Sequence, residues 1–324
     1  MIFITGATGF LGTQLVLDLI NAGNNVRALK RASSSIPFQL QNKPIEWVEG
    51  DVLDYHSLED AMQGVMHVYH CAAKVALNPK YKAEMYKTNI EGTANIVNAC
   101  LAMGVKKLMH VSSIAAIGFA KPGELITEDH KFEYLPTNTA YAISKYESEN
   151  EVWRGVAEGL EAVVVNPSII LGMDNWERGS GRLFGVINKG NKFYAAGGCG
   201  YVDVRDVSAC MIKLMETEKI TNKRFILNAD NLSFKELFAL IANHLNKPAP
   251  SINIKKWHLE IGWRAAKLIS WITGKEPALT RDTAISAPVI QFYSNQRIMN
   301  AIGHSFIPVQ QSIVDIVARQ KTQL

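Results

Sequence analysis

Cysteine is scarce in this sequence of 324 residues: only Cys71, Cys100, Cys199 and Cys210 occur, with no C-x-x-C pair and no histidine at metal-ligand spacing. That excludes a disulfide-stapled scaffold and the usual zinc patterns, and scattered thiols suit a reducing compartment. An excess of either charge is also lacking, since 34 Lys and Arg stand against 30 Asp and Glu for a net +4. So dilute a charge, without a basic stripe and interleaved aromatics, argues against a nucleic-acid partner. No apolar run reaches bilayer-spanning length; the nearest, 257–272, is broken by His258, Glu260, Arg264 and Lys267. The first residues read as a strand rather than a secretory signal. The expected setting is cytoplasmic, without an integral membrane segment.

What is present is the composition of an ordinary globular protein, 48% hydrophobic and 20% charged, long enough to bury a full core. Over the first two thirds, short runs of Val, Ile, Leu and Phe alternate with longer helical patterns. The strands expected are 2–5, 25–30, 45–49, 67–70, 107–111 and 161–166, apolar throughout as in strands buried on both faces. Between them helices are expected at 11–22, stopped by Gly23, from an Asp54 cap toward Gln63, at 89–102 and at 141–157. Beyond Pro167 comes a glycine-rich stretch, then strand-like character at 201–207 and 224–227. The chain from Ser233 reads as mostly helical, with turns at 248–250 and 274–277.

Thr5-Gly6-Ala7-Thr8-Gly9-Phe10-Leu11-Gly12 follows a strand and opens a helix, the context a phosphate-binding turn needs. Gly6 allows the tight turn, Gly9 lets backbone approach a pyrophosphate, and Gly12 lets the helix pack on the strand. Unpaired N–H groups and the positive end of the helix dipole then face the phosphates. The fold class expected is therefore α/β, a Rossmann-type doubly wound parallel sheet over 1–168 plus 198–228. A smaller discontinuous C-terminal substrate lobe takes 169–197 plus 229–324.

An acidic residue at the end of the second strand selects NAD, and a basic one accommodates the 2′-phosphate of NADP. Here the run is Val26-Arg27-Ala28-Leu29-Lys30-Arg31-Ala32-Ser33, without Asp or Glu. NADP is therefore expected over NAD, with Arg31 on the phosphate and Lys30 or Ser33 assisting. Asp51, closing the third strand, either bonds the adenine or caps the next helix. Tyr141 and Lys145 lie four apart on a helix, on one face. An ammonium there depresses the phenol and makes it a usable acid or base near neutrality. Ser112 and Ser113 end the fifth strand, where a hydroxyl reaches the same ligand crevice.

These features resemble the extended short-chain dehydrogenase/reductase family along nearly the whole chain. Further landmarks are Tyr69-His70-Cys71-Ala72-Ala73, Asn89-Ile90-Glu91-Gly92-Thr93, Val111-Ser112-Ser113-Ile114-Ala115, Asn166-Pro167-Ser168 and 202–207. Within the family the chain looks most like the dihydroflavonol reductase-like and hydroxysteroid dehydrogenase-like branch, beside the NAD-dependent epimerase-like members. The resemblance implies Ser113 as the active serine, because it precedes Gly118 by five positions. It implies that Ala72 and Ala73 contact the cofactor, that Lys145 bonds the nicotinamide ribose, and that the segment at Pro167, Ser168 and Ile170 meets the nicotinamide amide. Thr8, Phe10, Leu11, Val52, Lys74, Asn89 and Tyr141 complete the implied cofactor set.

The activity expected is NADP(H)-dependent reduction of a small-molecule ketone or aldehyde, with Tyr141 as proton donor. The alternative is a nucleotide-sugar epimerase or dehydratase with tightly bound NAD. A non-catalytic dinucleotide sensor is the third reading, disfavoured by the complete Ser–Tyr–Lys set. Candidate substrate-lining residues are 74–77, Thr139, Trp176, Arg178, Arg182, Phe184 and Tyr194, with core packing of the aromatics the competing reading. The amphipathic stretch 257–272 is expected to pack on the cofactor domain rather than lie on a membrane surface. The resemblance also allows a homodimer, and no metal is expected.

Overall fold

The computed structural model describes residues 1–322 except 77, 122, 173–175, 178, 274–276 and 278. Leu77, Arg178 and most of the turn expected at 274–277 thus lie outside the described residues. The main sheet has seven strands: β1 (Ile2–Thr5), β2 (Val26–Lys30), β3 (Ile45–Glu49), β4 (His67–His70), β5 (Lys107–Val111), β6 (Ala162–Pro167) and β7 (Lys223–Leu227). Their order is β3-β2-β1-β4-β5-β6-β7, and every pairing is parallel.

Alternate residues of each strand point to opposite faces, and here both faces are buried. On one side Ile2, Ile4, Val163 and Val165 pack with Leu11, Leu15 and Leu19 of α1 (Phe10–Asn21). On the other, Phe3, Val68 and Val164 meet Leu58 of α2 (Tyr55–Ala61), Ile96 and Val97 of α3 (Gly92–Ala102), and Val152 of α4 (Ala140–Ala157). The helix α5 (Val204–Glu216) lies beside α1 and adds Val207, Met211 and Leu214 to the first layer. This is the doubly wound fold expected. Its strand order reverses between β1 and β4, which opens a crevice at their carboxyl ends.

A three-stranded sheet of Ile169–Leu171, Gly198–Asp203 and Asp230–Ser233 stands apart from the main one. It carries α6 (Phe234–His244) and a core of Phe184, Tyr201, Leu237 and Ile313. The strand expected at 201–207 stops at Asp203, whose carboxylate accepts the Arg205 N–H and caps α5. A further correction concerns α7 (Lys256–Thr273): it buries only Leu259, packs on the helix Arg281–Ser286, and leaves an apolar face uncovered. The chain ends on α8 (Val309–Thr322). Among the described residues no helix is long and apolar enough to cross a membrane.

Two glycines set the turn from β1 to α1. Gly6 has φ +71°, and a Cβ there would lie 2.6 Å from the Ala72 nitrogen; at Gly12 it would lie 2.1 Å from the Gly6 oxygen. Gly12→Ala is therefore expected to destabilise the protein by about 1–3 kcal/mol through overpacking, read as a lower urea midpoint with unchanged m-value.

Candidate active site

The crevice at the β1–β4 divergence holds two adjoining cavities that share Gly6, Gly9, Cys71 and Ala73 in their walls. The outer one, about 510 Å³, is lined by Gly6, Thr8, Gly9, Lys30, Arg31, Ser34, Asp51, Val52, Ala72, Ala73 and Lys74 among others. The inner one, about 400 Å³, brings together Phe10, Leu11, Gly12, Ser112, Ser113, Tyr141, Lys145, Pro167, Ser168 and Ile170. Of the residues anticipated for the cofactor, Asn89 and Ser33 line neither.

A dinucleotide fits what these walls offer. The cap residue Gly9 gives α1 no side-chain cap, and its first turn contains no acid. The N–H groups of that turn are thus open to an anion, with the helix dipole adding to the attraction. At the far end, Lys30 is tied to Glu49 across β2–β3 at 2.9 Å. Arg31 has no such partner among the described residues, and Ser34, whose N–H bonds the Arg31 carbonyl at 2.9 Å, lines the cavity where Ser33 was expected. Asp51 accepts the Leu53 N–H at 3.0 Å. The cap of α2 is Asp54, so the helix-capping alternative for Asp51 falls.

The inner cavity is organised by α4. Thr139 accepts the Ala142 N–H at 3.0 Å and starts the helix, which sets Tyr141 in its first turn and Lys145 one turn on. The side chain of Ser113, not Ser112, is the neighbour that acts on the Tyr141 phenol, and both serines line the same cavity as the tyrosine. Ser113 also accepts the Ala115 N–H at 3.2 Å. The expected depression of the phenol by the ammonium is not met in this arrangement. Burial pushes Tyr141 up, the Ser113 hydrogen bond pulls it down, and Lys145 Nζ donates to the Val111 carbonyl at 2.8 Å. Burial lowers Lys145 to about 8, against the pull of Cys71 and Glu149.

Asn89 acts behind the wall. Its Oδ1 accepts the Lys74 N–H at 2.8 Å, and its Nδ2 donates to the Lys74 carbonyl and the Ser144 hydroxyl, each at 3.0 Å. It ties the loop after β4 to the tyrosine helix. Glu149 and Asn166 were not singled out for a role in the sequence, yet both are buried. Asn166 Nδ2 donates to the Ser113 carbonyl and to Glu149, each at 3.0 Å, and Arg224 pairs with Glu149 at 3.2 Å. The signal was available, because Tyr141, Lys145 and Glu149 repeat every four residues along one helix face.

The aromatics offered as substrate contacts are elsewhere. Phe184 is core, stacked on Trp176 with centroids 5.7 Å apart, and Trp176 and Arg182 border a separate surface cleft. Tyr194 lies under Lys235. Lys74 pairs with Glu84, and Val75 lines the inner cavity. Leu29, Ser34, Gly50, Leu53, Cys71, Glu84 and Thr88 are the outer-wall residues that the sequence did not single out as contacts.

Residues 2–228 match the NAD dependent epimerase/dehydratase family. The chain is 31% identical over 321 residues, 97% of its length and 93% of the relative's, to a Synechocystis protein named "Putative dihydroflavonol 4-reductase". Among solved structures it resembles gox2253 with TM-score 0.86 and 28% identity, covering 100% of this chain and 98% of the other. It also shares its fold with the UDP-glucose 4-epimerase of Thermotoga maritima, TM-score 0.81 and 19% identity, over 100% and 99% of the two chains.

Lys145 makes stability depend on pH in a definite direction. The unfolded chain keeps this proton up to the ordinary 10.5, while the folded chain releases it near 8, so between those values the unfolded state binds more protons and stability rises with pH. Between pH 7 and 10 the wild type is expected to gain about 1–3 kcal/mol relative to Lys145→Met, measured as the difference between urea unfolding curves.

Proposed function

The chain belongs to the NAD dependent epimerase/dehydratase family, and from that premise we propose that it reduces a ketone or aldehyde with NADPH. The observation that carries this reading is the inner cavity, where Ser113, Tyr141 and Lys145 share one wall with the uncapped start of α1. The resemblance to a protein named as a dihydroflavonol 4-reductase supports carbonyl reduction. The unpaired Arg31, with no carboxylate at the end of β2, supports NADP over NAD.

The first-turn N–H groups of α1 hold the pyrophosphate, Arg31 and Ser34 the 2′-phosphate, and Asp51 with Val52 the adenine end. Bound nicotinamide supplies the hydride. Tyr141 carries the proton on its hydroxyl, kept there by burial, and donates it to the carbonyl oxygen. Ser113 fixes that oxygen by a second hydrogen bond. Lys145 bonds the nicotinamide ribose and supplies positive charge beside the phenol as the proton leaves. Ala72, Ala73, Pro167, Ser168 and Ile170 shape the walls through backbone and apolar contact.

Screened with NADPH and NADH against ketones and nucleotide sugars, the enzyme is expected to consume NADPH with a carbonyl substrate. Tightly bound NAD in the purified protein, with no net NADPH turnover, would instead mean an epimerase or dehydratase. Tyr141→Phe should lower kcat by about 10²–10⁴-fold; intact activity would refute the mechanism. Arg31→Ala should weaken NADPH binding by about 10–100-fold and leave NADH binding unaltered, as read by fluorescence titration.

A further inference from the structure

We infer that α7 is a docking face for an anionic lipid bilayer, so that the enzyme sits on a membrane surface without spanning it. The helix has two apolar sides. Leu259 and the partly buried Gly262, Trp263, Ala266 and Ser270 face the protein. Trp257, Ile261, Leu268 and Ile272, spaced by four, seven and four residues, form a stripe on the opposite side. Together with Ile269 and Trp271 these side chains are 57–82% exposed. A soluble monomer seldom leaves so many large apolar groups contiguous on one element.

Charge decides between the two occupants such a face could take. Lys255, Lys256, Arg264 and Lys267 stand in and just before the helix against one acid, Glu260. Glu260 is satisfied by Arg264 at 2.5 Å, which leaves the three lysines without an acidic partner among the described residues. A second copy of the chain, docked face to face, would bring two such cationic helices together in a low-dielectric contact. An anionic bilayer accepts the same arrangement favourably: apolar side chains and tryptophans enter the boundary region while lysines reach the phosphates. The helix Arg281–Ser286 that supports α7 also sets Asp282 near Tyr86, close to the Glu84 and Thr88 wall of the cleft.

The test is sedimentation of the full-length protein with vesicles of phosphatidylcholine alone or mixed with phosphatidylglycerol, at low and high salt. Binding to the mixed vesicles, weakened by salt, is expected. A variant with Trp257→Ser, Leu268→Ser and Trp271→Ser should lose about tenfold or more of that binding. Lys256→Glu with Lys267→Glu should abolish the preference for anionic lipid. Because all five positions are exposed, both variants are expected to keep the wild-type circular dichroism, melting temperature and dinucleotide affinity. No association with either vesicle would overturn the inference. So would a wild-type dimer, seen by light scattering, that the serine variant dissolves, since the face would then bind its own copy. Neither result bears on the proposed reductase activity, which is read from NADPH turnover alone.

Discussion

Gly6 and Ala72 approach so closely that no side chain fits between them, and the site exists because the ends of β1 and β4 are held at that separation. A chain of buried hydrogen bonds holds them. Thr93 donates its hydroxyl proton to the Asn89 carbonyl at 2.6 Å, so its oxygen must accept from His70 Nε2 at 3.0 Å. His70 Nδ1 is then an acceptor for the Thr5 hydroxyl at 2.7 Å, and the Thr5 oxygen accepts the Ala72 N–H at 3.3 Å. Only a neutral imidazole satisfies this order. Burial, with a smaller push from the Lys145 charge, lowers His70 to about 3, so that state persists across physiological pH. A buried donor left unpaired here costs about 1–3 kcal/mol. The crevice width is thereby tied to a network that cannot shift one partner at a time.

The opposite wall has its own support. Arg224 on β7 pairs with Glu149 on α4, Glu149 accepts from Asn166 on β6, and Asn166 donates to the carbonyl of Ser113. Arg224 also binds the carbonyls of Glu128 and His130, which fastens the loop before α4. Removing one member of a buried ion pair leaves its partner's charge uncompensated, a larger loss than the pair's own net worth. Ser113 is thus positioned through its carbonyl by Asn166 and through its hydroxyl by the Ala115 N–H. The two networks meet at α4, where Ser144 accepts from Asn89 one residue before Lys145.

The parallel sheet was legible because its inner strands are buried on both faces and so read as short apolar runs. Ile2–Thr5, Ile45–Glu49, His67–His70 and Lys107–Val111 fall where the pattern places them, and the glycine spacing reports a backbone approach that any other residue would block. The pairing of Lys30 with Glu49 was not legible, because parallel pairing of β2 and β3 brings them alongside, a register that no local pattern encodes. The smaller lobe was opaque for the same reason on a larger scale. Phe184, Tyr201, Leu237 and Ile313 form one core from four distant segments, so their aromatic and aliphatic side chains carry no sign of whether they face a ligand or each other. The outward face of α7 was hidden differently: amphipathic periodicity tells which residues share a side, not which side meets the protein.

Burial acts on Tyr141 and Lys145 with opposite signs but to one end. It raises the phenol and lowers the ammonium, in each case favouring the uncharged form. In the proposed reduction the resting tyrosine would therefore meet the substrate still holding its proton. Lys145 is held near 8 rather than lower because Cys71 and Glu149 oppose desolvation, so it remains largely protonated at neutral pH. Glu149 Oε2 accepts from Asn166 behind Ser113, Oε1 pairs with Arg224, and with Cys71 its charge favours the protonated Lys145. The spacing of Tyr141, Lys145 and Glu149 along one helix face sets a buried phenol, a buried ammonium and a carboxylate that favours the charged ammonium on a single rigid element.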